Sequence, residues 1–148
     1  MRTSKLITLG LAGLVGLTGG FGWLLVRAQA LPTAVVPVVW DKEACAQCRM
    51  HVGEPAFAGQ IQVKDGRVLN FDDPGCLIDW MTRHSDPIHA VYFHHFKDDR
   101  WISKEITRFV EASPTPMSYG LGAVDGSTTA MSWDDAVARV LKRKSRPK

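Results

Sequence analysis

At 148 residues and 16.4 kDa the chain holds one domain or two very small ones, and 45% apolar with 22% charged residues excludes global disorder. The formal charge of +3 sits at the ends. Residues 1–30 carry Arg2, Lys5 and Arg27, residues 142–148 carry five more cations, and neither stretch holds an acid, which leaves 10 basic and 15 acidic residues between 31 and 141. An acidic body with basic ends excludes a nucleic-acid-binding domain.

Residues 6–26, LITLGLAGLVGLTGGFGWLLV, contain no charge. At helical rise they span roughly 30 Å, the thickness of a bilayer core. The basic flank ahead of them predicts a single-pass anchor, with residues 1–30 as the membrane segment, the N-terminus in the cytoplasm and the body outside. The alternative is a signal peptide cut at Ala28-Gln29-Ala30, which would leave a soluble periplasmic protein. No cysteine stands near the end of the apolar run, so lipid modification is not expected. Residues 31–43, with two prolines among β-branched residues, read as an extended stalk, and the folded body begins at residue 44.

In the body, Phe57–Val63 and Val68–Phe71 read as two strands of a hairpin with Asp65-Gly66 at its turn. Asp72-Asp73-Pro74 then opens a helix, an acidic cap followed by a proline in the first turn, whose apolar face holds Cys76, Leu77, Trp80 and Met81 and runs to about His84. Ile88–Phe96 reads as a third strand and Lys97–Arg100 as a turn. Phe71-Asp72-Asp73 recurs 62 residues later as Trp133-Asp134-Asp135, and Gly59–Val63 meets Leu121–Val124 at the same offset, with Asp125-Gly126 as the next turn. The expectation is an α+β fold of two similar small ββαβ-type modules, about 44–98 and 99–144, behind the N-terminal transmembrane helix. The last helix, 133–144, presents Trp133, Val137, Val140 and Leu141 on one face.

Three cysteines are too few for a disulfide framework, and a bridge between Cys45 and Cys48 would close too small a loop to stabilise much. Cys45-Ala-Gln-Cys48-Arg-Met50-His51 instead offers four soft or borderline metal donors in seven residues. Thiolate and thioether together select copper(I), and side chains at i and i+2 of an extended backbone share a face. A c-type haem attachment fails because position 49 is Arg rather than His. Structural zinc usually wants a second ligand pair, which the chain lacks, although Cys76 and the histidines offer ligands singly. A thioredoxin-like pair normally opens a helix after a strand, whereas this one follows a proline-rich segment.

Taken with the Asp65-Gly66 turn, Phe71-Asp72-Asp73-x-x-Cys76 and Ser113-x-x-Pro116-Met117-x-x-Gly120, the motif Cys45-x-x-Cys48-x-Met50 resembles the NosL family. These are exported accessory proteins that carry copper(I) for maturation of nitrous-oxide reductase. The resemblance covers nearly all of residues 44–141 and implies two ββαβ-type modules. It also has departures: family members usually have Gly where Arg49 stands, and Ser-Pro-Met-Gly where this chain has Pro116-Met117-Ser118; many are lipoproteins. The expected metal ligands are Cys45, Cys48, Met50 and Met117, with His51, Cys76, His94 and His95 in second rank. Cys76, on the apolar face of a helix, reads first as a buried small hydrophobe. The expected function is a periplasm-facing copper(I) metallochaperone, not an enzyme. It would serve a copper enzyme, nitrous-oxide reductase or another, with a copper exporter or maturation complex as a further partner. The alternatives are a thiol–disulfide oxidoreductase using Cys45 and Cys48, and a structural zinc-binding interaction module.

Overall fold

The structure is a computed structural model that describes residues 30–126 and 129–144. The membrane anchor expected over residues 6–26 lies outside the described residues. Among the described residues, no helix is long and apolar enough to cross a membrane.

The fold is α+β, with antiparallel sheets and two helices. The first sheet has the order β2-β1-β3-β4, from β1 (Gly59–Val63), β2 (Val68–Phe71), β3 (Ile88–His94) and β4 (Trp101–Ser103). Gly66 at φ 92° makes the β1–β2 turn, and Asp65 accepts from the Arg67 N–H, so the short hairpin fixes its register with Gln60 opposite Asn70. The expected start of β1 at Phe57 moves to Gly59, because Pro55–Phe57 form a 3₁₀ turn. Helix α1 (Pro74–Arg83) begins where the sequence placed it: the Asp73 side chain accepts from the Gly75 N–H, and Pro74 occupies a position whose missing donor costs nothing. The second sheet pairs β5 (Thr107–Glu111) with β6 (Leu121–Asp125), and helix α2 (Trp133–Lys144) follows. Phe93 and Phe109 meet edge to face, 5.3 Å between ring centroids, and join the two sheets in one core with Ile61, Phe71, Leu77, Ile78 and Leu121.

The structure bears on the half-repeat and on residues 31–43 as follows. The half-repeat holds at β1 and β6 but breaks around them. The place of β2 is taken in the second half by a single bridge from Met131 to Phe109, and β4, beyond the expected boundary at 98/99, completes the first sheet. The Asp-Asp pairs also differ: Asp72-Asp73 precede α1, whereas Asp134-Asp135 lie inside the first turn of α2, which is capped by Ser132 donating to and accepting from Asp135. The segment read as a stalk packs on the body. Residues 32–43 belong to the same compact unit as the body. Gln60 donates to the Val36 carbonyl and accepts from its N–H, and Gln62 donates to the Ala34 carbonyl. These two glutamines are fully buried, so the polar face of β1 is covered by chain rather than by water.

Candidate metal centre

Residues 41–52 run out and back as an irregular hairpin. The Asp41 N–H donates to the Val52 carbonyl, the Val52 N–H to Glu43, and the Cys45 N–H to Met50. Its tip is the turn 45–50, closed by the Arg49 N–H donating to the Cys45 carbonyl, with Arg49 in the left-handed region at φ 68°. Three contacts seat this tip on the body. The Ala46 N–H donates to the Asn70 carbonyl of β2, Asn70 donates to Glu43, and the Gln47 amide donates to Asp79 of α1 at 2.7 Å. Asp79 also holds Arg83 one turn further on.

This seating puts Cys45 and Cys48 against the first turn of α1, where Cys76 points back at them. All three thiols are free, and their sulfurs lie within 4.8 Å of one another. Cys45 and Cys76 are buried, while Cys48 is half-buried, so the group has two inner sulfurs and one facing outward. Their ionisation is shared unequally. A hydrogen bond from Cys76 and backbone N–H groups of Cys48, Asp72 and Gln47 hold Cys45 well below the ordinary thiol range in spite of its burial. The same hydrogen bond, then burial, pushes Cys76 far up, and burial raises Cys48. In the metal-free site Cys45 is thus the thiol most disposed to ionise, beside two neighbours disposed to keep their protons.

Two buried carboxylates frame it. Asp72 accepts from the Gly53 N–H and Asp73 caps α1, and burial raises both. The second oxygen of Asp73 accepts from the Met117 N–H at 3.0 Å. The loop bearing Met117 is therefore tied to the turn that begins two residues before Pro74 and carries Cys76, across 44 residues of sequence.

The structure brings together Cys45, Cys48 and Cys76. Met50 follows them in the same tip with its side chain 59% exposed, and Met117 packs partly buried against the core. His51 is exposed and lies in the bridge to Ala44. His94 and His95 are buried at the end of β3, where His94 meets Asp99, and His95 meets Asp98 and, at 3.7 Å, Asp125. Among the described residues, no histidine or carboxylate joins the three sulfurs as a convergent donor. Sequence reasoning placed Cys76 on the buried face of its helix and in second rank as a ligand. It is buried, and the face it occupies is the one the cysteine turn covers. Gln47, Asp79 and the far oxygen of Asp73 were not singled out as positioning groups; an acid on the otherwise apolar side of α1 is the signal that marks Asp79.

Three sulfurs at this separation suit a soft, low-coordinate ion. The sequence model of a family described as NosL matches residues 37–133, well over half of the chain. No curated protein and no solved structure is similar enough to match.

Proposed function

Because the chain belongs to the NosL family, a copper-associated family of accessory proteins, we propose that it is a copper(I) carrier that receives the ion on Cys45, Cys48 and Cys76 and passes it to a copper enzyme. The observation that carries this reading is the convergence of three free thiols from two segments within 4.8 Å. Cargo transfer would proceed by ligand exchange. Cys48, the outward sulfur, is the one an incoming donor displaces first, while Cys45 and Cys76 hold from inside. Met50, exposed in the same tip, and Met117, on the loop held by Asp73, are the thioethers that would join or relay the ion. Nitrous-oxide reductase is the recipient that the family suggests, and a periplasmic setting at the inner membrane goes with it.

Burial speaks against the thiol–disulfide reading. Attack on a substrate disulfide needs an accessible thiolate; Cys45 has no exposed surface, and burial raises the half-buried Cys48 away from the thiolate form.

The test is anaerobic copper(I) titration of the full chain against a competing chelator, repeated with zinc at matched free concentration. One copper(I) per chain, held in strong preference to zinc, supports the carrier. Equal competition by zinc would replace it with the structural zinc module.

A further inference from the structure

Beside the Met117 loop lies a cavity of about 560 Å³ lined by Ser118, Tyr119, Arg139, Lys142 and Arg143. Arg139, Lys142 and Arg143 stand at i, i+3 and i+4 in the last turns of α2, and so share one face. No acid lines this cavity, although the body of the chain between 31 and 141 has five more acids than bases.

A basic helix end is ordinarily a solvated end that complements the helix dipole. Here Arg139 and Arg143 are built into the structure beside the candidate metal centre. Arg143 Nη1 donates to the Met117 carbonyl at 2.6 Å, and its guanidinium lies over the Tyr119 ring, 4.4 Å from the centroid. Tyr119 in turn presses on α1 at Gly75, where a Cβ would fall 2.0 Å from the ring. The residue after Gly75 is Cys76. Arg139 is held from the other side by Glu111. A smaller cavity of about 160 Å³, lined by Asp79, Arg83, Tyr119 and Arg143, adjoins through the two shared residues and reaches the acid that seats Gln47.

We propose that this cleft docks an acidic segment of the protein that exchanges metal with this chain, carboxylates of the segment sitting on Arg139, Lys142 and Arg143. The proposal rests on the carrier reading above for its purpose. Cations four residues apart on a helix are offset by about 6 Å along its axis. Acids at alternate positions of an extended chain share a face and are spaced by about 6.6 Å, so an extended segment of alternating acids matches the cleft better than one small anion does. Such a segment would bring its own metal site within reach of Met117, and steer the encounter by charge.

The experiment uses the full chain, metal-free and copper(I)-loaded, with a fluorescently labelled peptide of alternating glutamate and glutamine. An all-glutamine peptide, inorganic phosphate and phosphatidylglycerol vesicles are the comparison probes. The glutamate peptide should bind, weaken with salt, and shift backbone NMR signals confined to 117–119 and 139–143. The double variant Arg139→Glu, Lys142→Glu should lose affinity by about tenfold or more while keeping its copper(I) affinity. Reversal of the tail charges, Arg146→Glu with Lys148→Glu, should change affinity by less than about twofold. If Arg139→Glu, Lys142→Glu is poorly folded, Arg139→Gln with Lys142→Gln gives the same reading with a smaller loss. Equal loss on tail reversal would mean attraction to bulk charge and overturn the proposal. So would phosphate alone competing as well as the peptide, or vesicles binding in its place. Copper(I) bound normally with no peptide binding overturns the docking site alone. Peptide bound at the cleft by a chain that takes no copper(I) overturns the exchange role and the carrier reading together.

Discussion

The three sulfurs do different work although they form one group. Cys76 is the case where burial and ligation coincide. Its replacement in Cys76→Ala should lower the stability of the metal-free chain by about 1 kcal/mol, the cost of one small buried group. The same variant should weaken copper(I) binding by about a hundredfold or more in chelator competition, more than a change confined to a supporting residue would. Cys45 gives a pH dependence whose sign follows from its lowered ionisation. The unfolded chain keeps that proton at pH values where the folded chain has lost it. The Cys45 contribution to stability of the metal-free protein therefore rises with pH up to the ordinary thiol range, and is lost as pH falls through the lowered value. Cys48 and Cys76 are shifted the other way, so their contribution is full below the ordinary thiol range and declines above it, as the unfolded chain ionises. Thermal melts across pH should show the acid-side slope in the native chain and its flattening in Cys45→Ala.

At the scale of the element, two positions where the resemblance read from the sequence leads one to expect glycine fall on left-handed backbone. Arg49 has φ 68° and Ser118 has φ 55°. A side chain there is strained by the clash of Cβ with the carbonyl, a strain glycine avoids. Arg49→Gly and Ser118→Gly should each raise stability, by about 0.5–1 kcal/mol in chemical denaturation, the relief being larger than the entropy glycine adds to the unfolded chain. The elements themselves were legible to different degrees. The β1–β2 hairpin, the Asp73-Pro74 start of α1 and the span of α2 were readable because turn and cap residues act locally. β4 is three residues long and owes its existence to pairing with β3, so it leaves no periodic trace. The alternation in Phe57–Val63 marks a strand, which begins only at Gly59, but the burial of Gln60 and Gln62 leaves no local signal, since it depends on residues 34–36 arriving from elsewhere. In the site, the donors Cys45 and Cys48 were plain from spacing, whereas the approach of Cys76 required knowing how Gln47 meets Asp79.

On the scale of the whole molecule, the sulfur group joins an N-terminal hairpin to the first turn of α1, and Asp73 extends that junction to the Met117 loop. Asp73→Ala should therefore do more than uncap a helix, whose usual cost is about 1 kcal/mol. It should also release the Met117 N–H, and raise hydrogen exchange in residues 115–119 as well as at the start of α1. Residues 32–43 pack on β1 as part of the body, and the anchor expected over 6–26 is a separate proposal. N-terminal sequencing of the protein from a membrane fraction checks this: a start at or near Met1 agrees with an anchor, and a start at Leu31 in the soluble extract does not. The junction of hairpin and helix has a further consequence for the life of the protein. An ion held on both sides is a cross-link, and cargo present at a hundred times its dissociation constant adds about 2.7 kcal/mol to folding. On the carrier reading proposed above, empty chains are the weaker members of the population, opened more often and cut first by a protease, so that pulse proteolysis should spare loaded chains. Copper supply would set the abundance of its carrier through turnover, with no separate sensor.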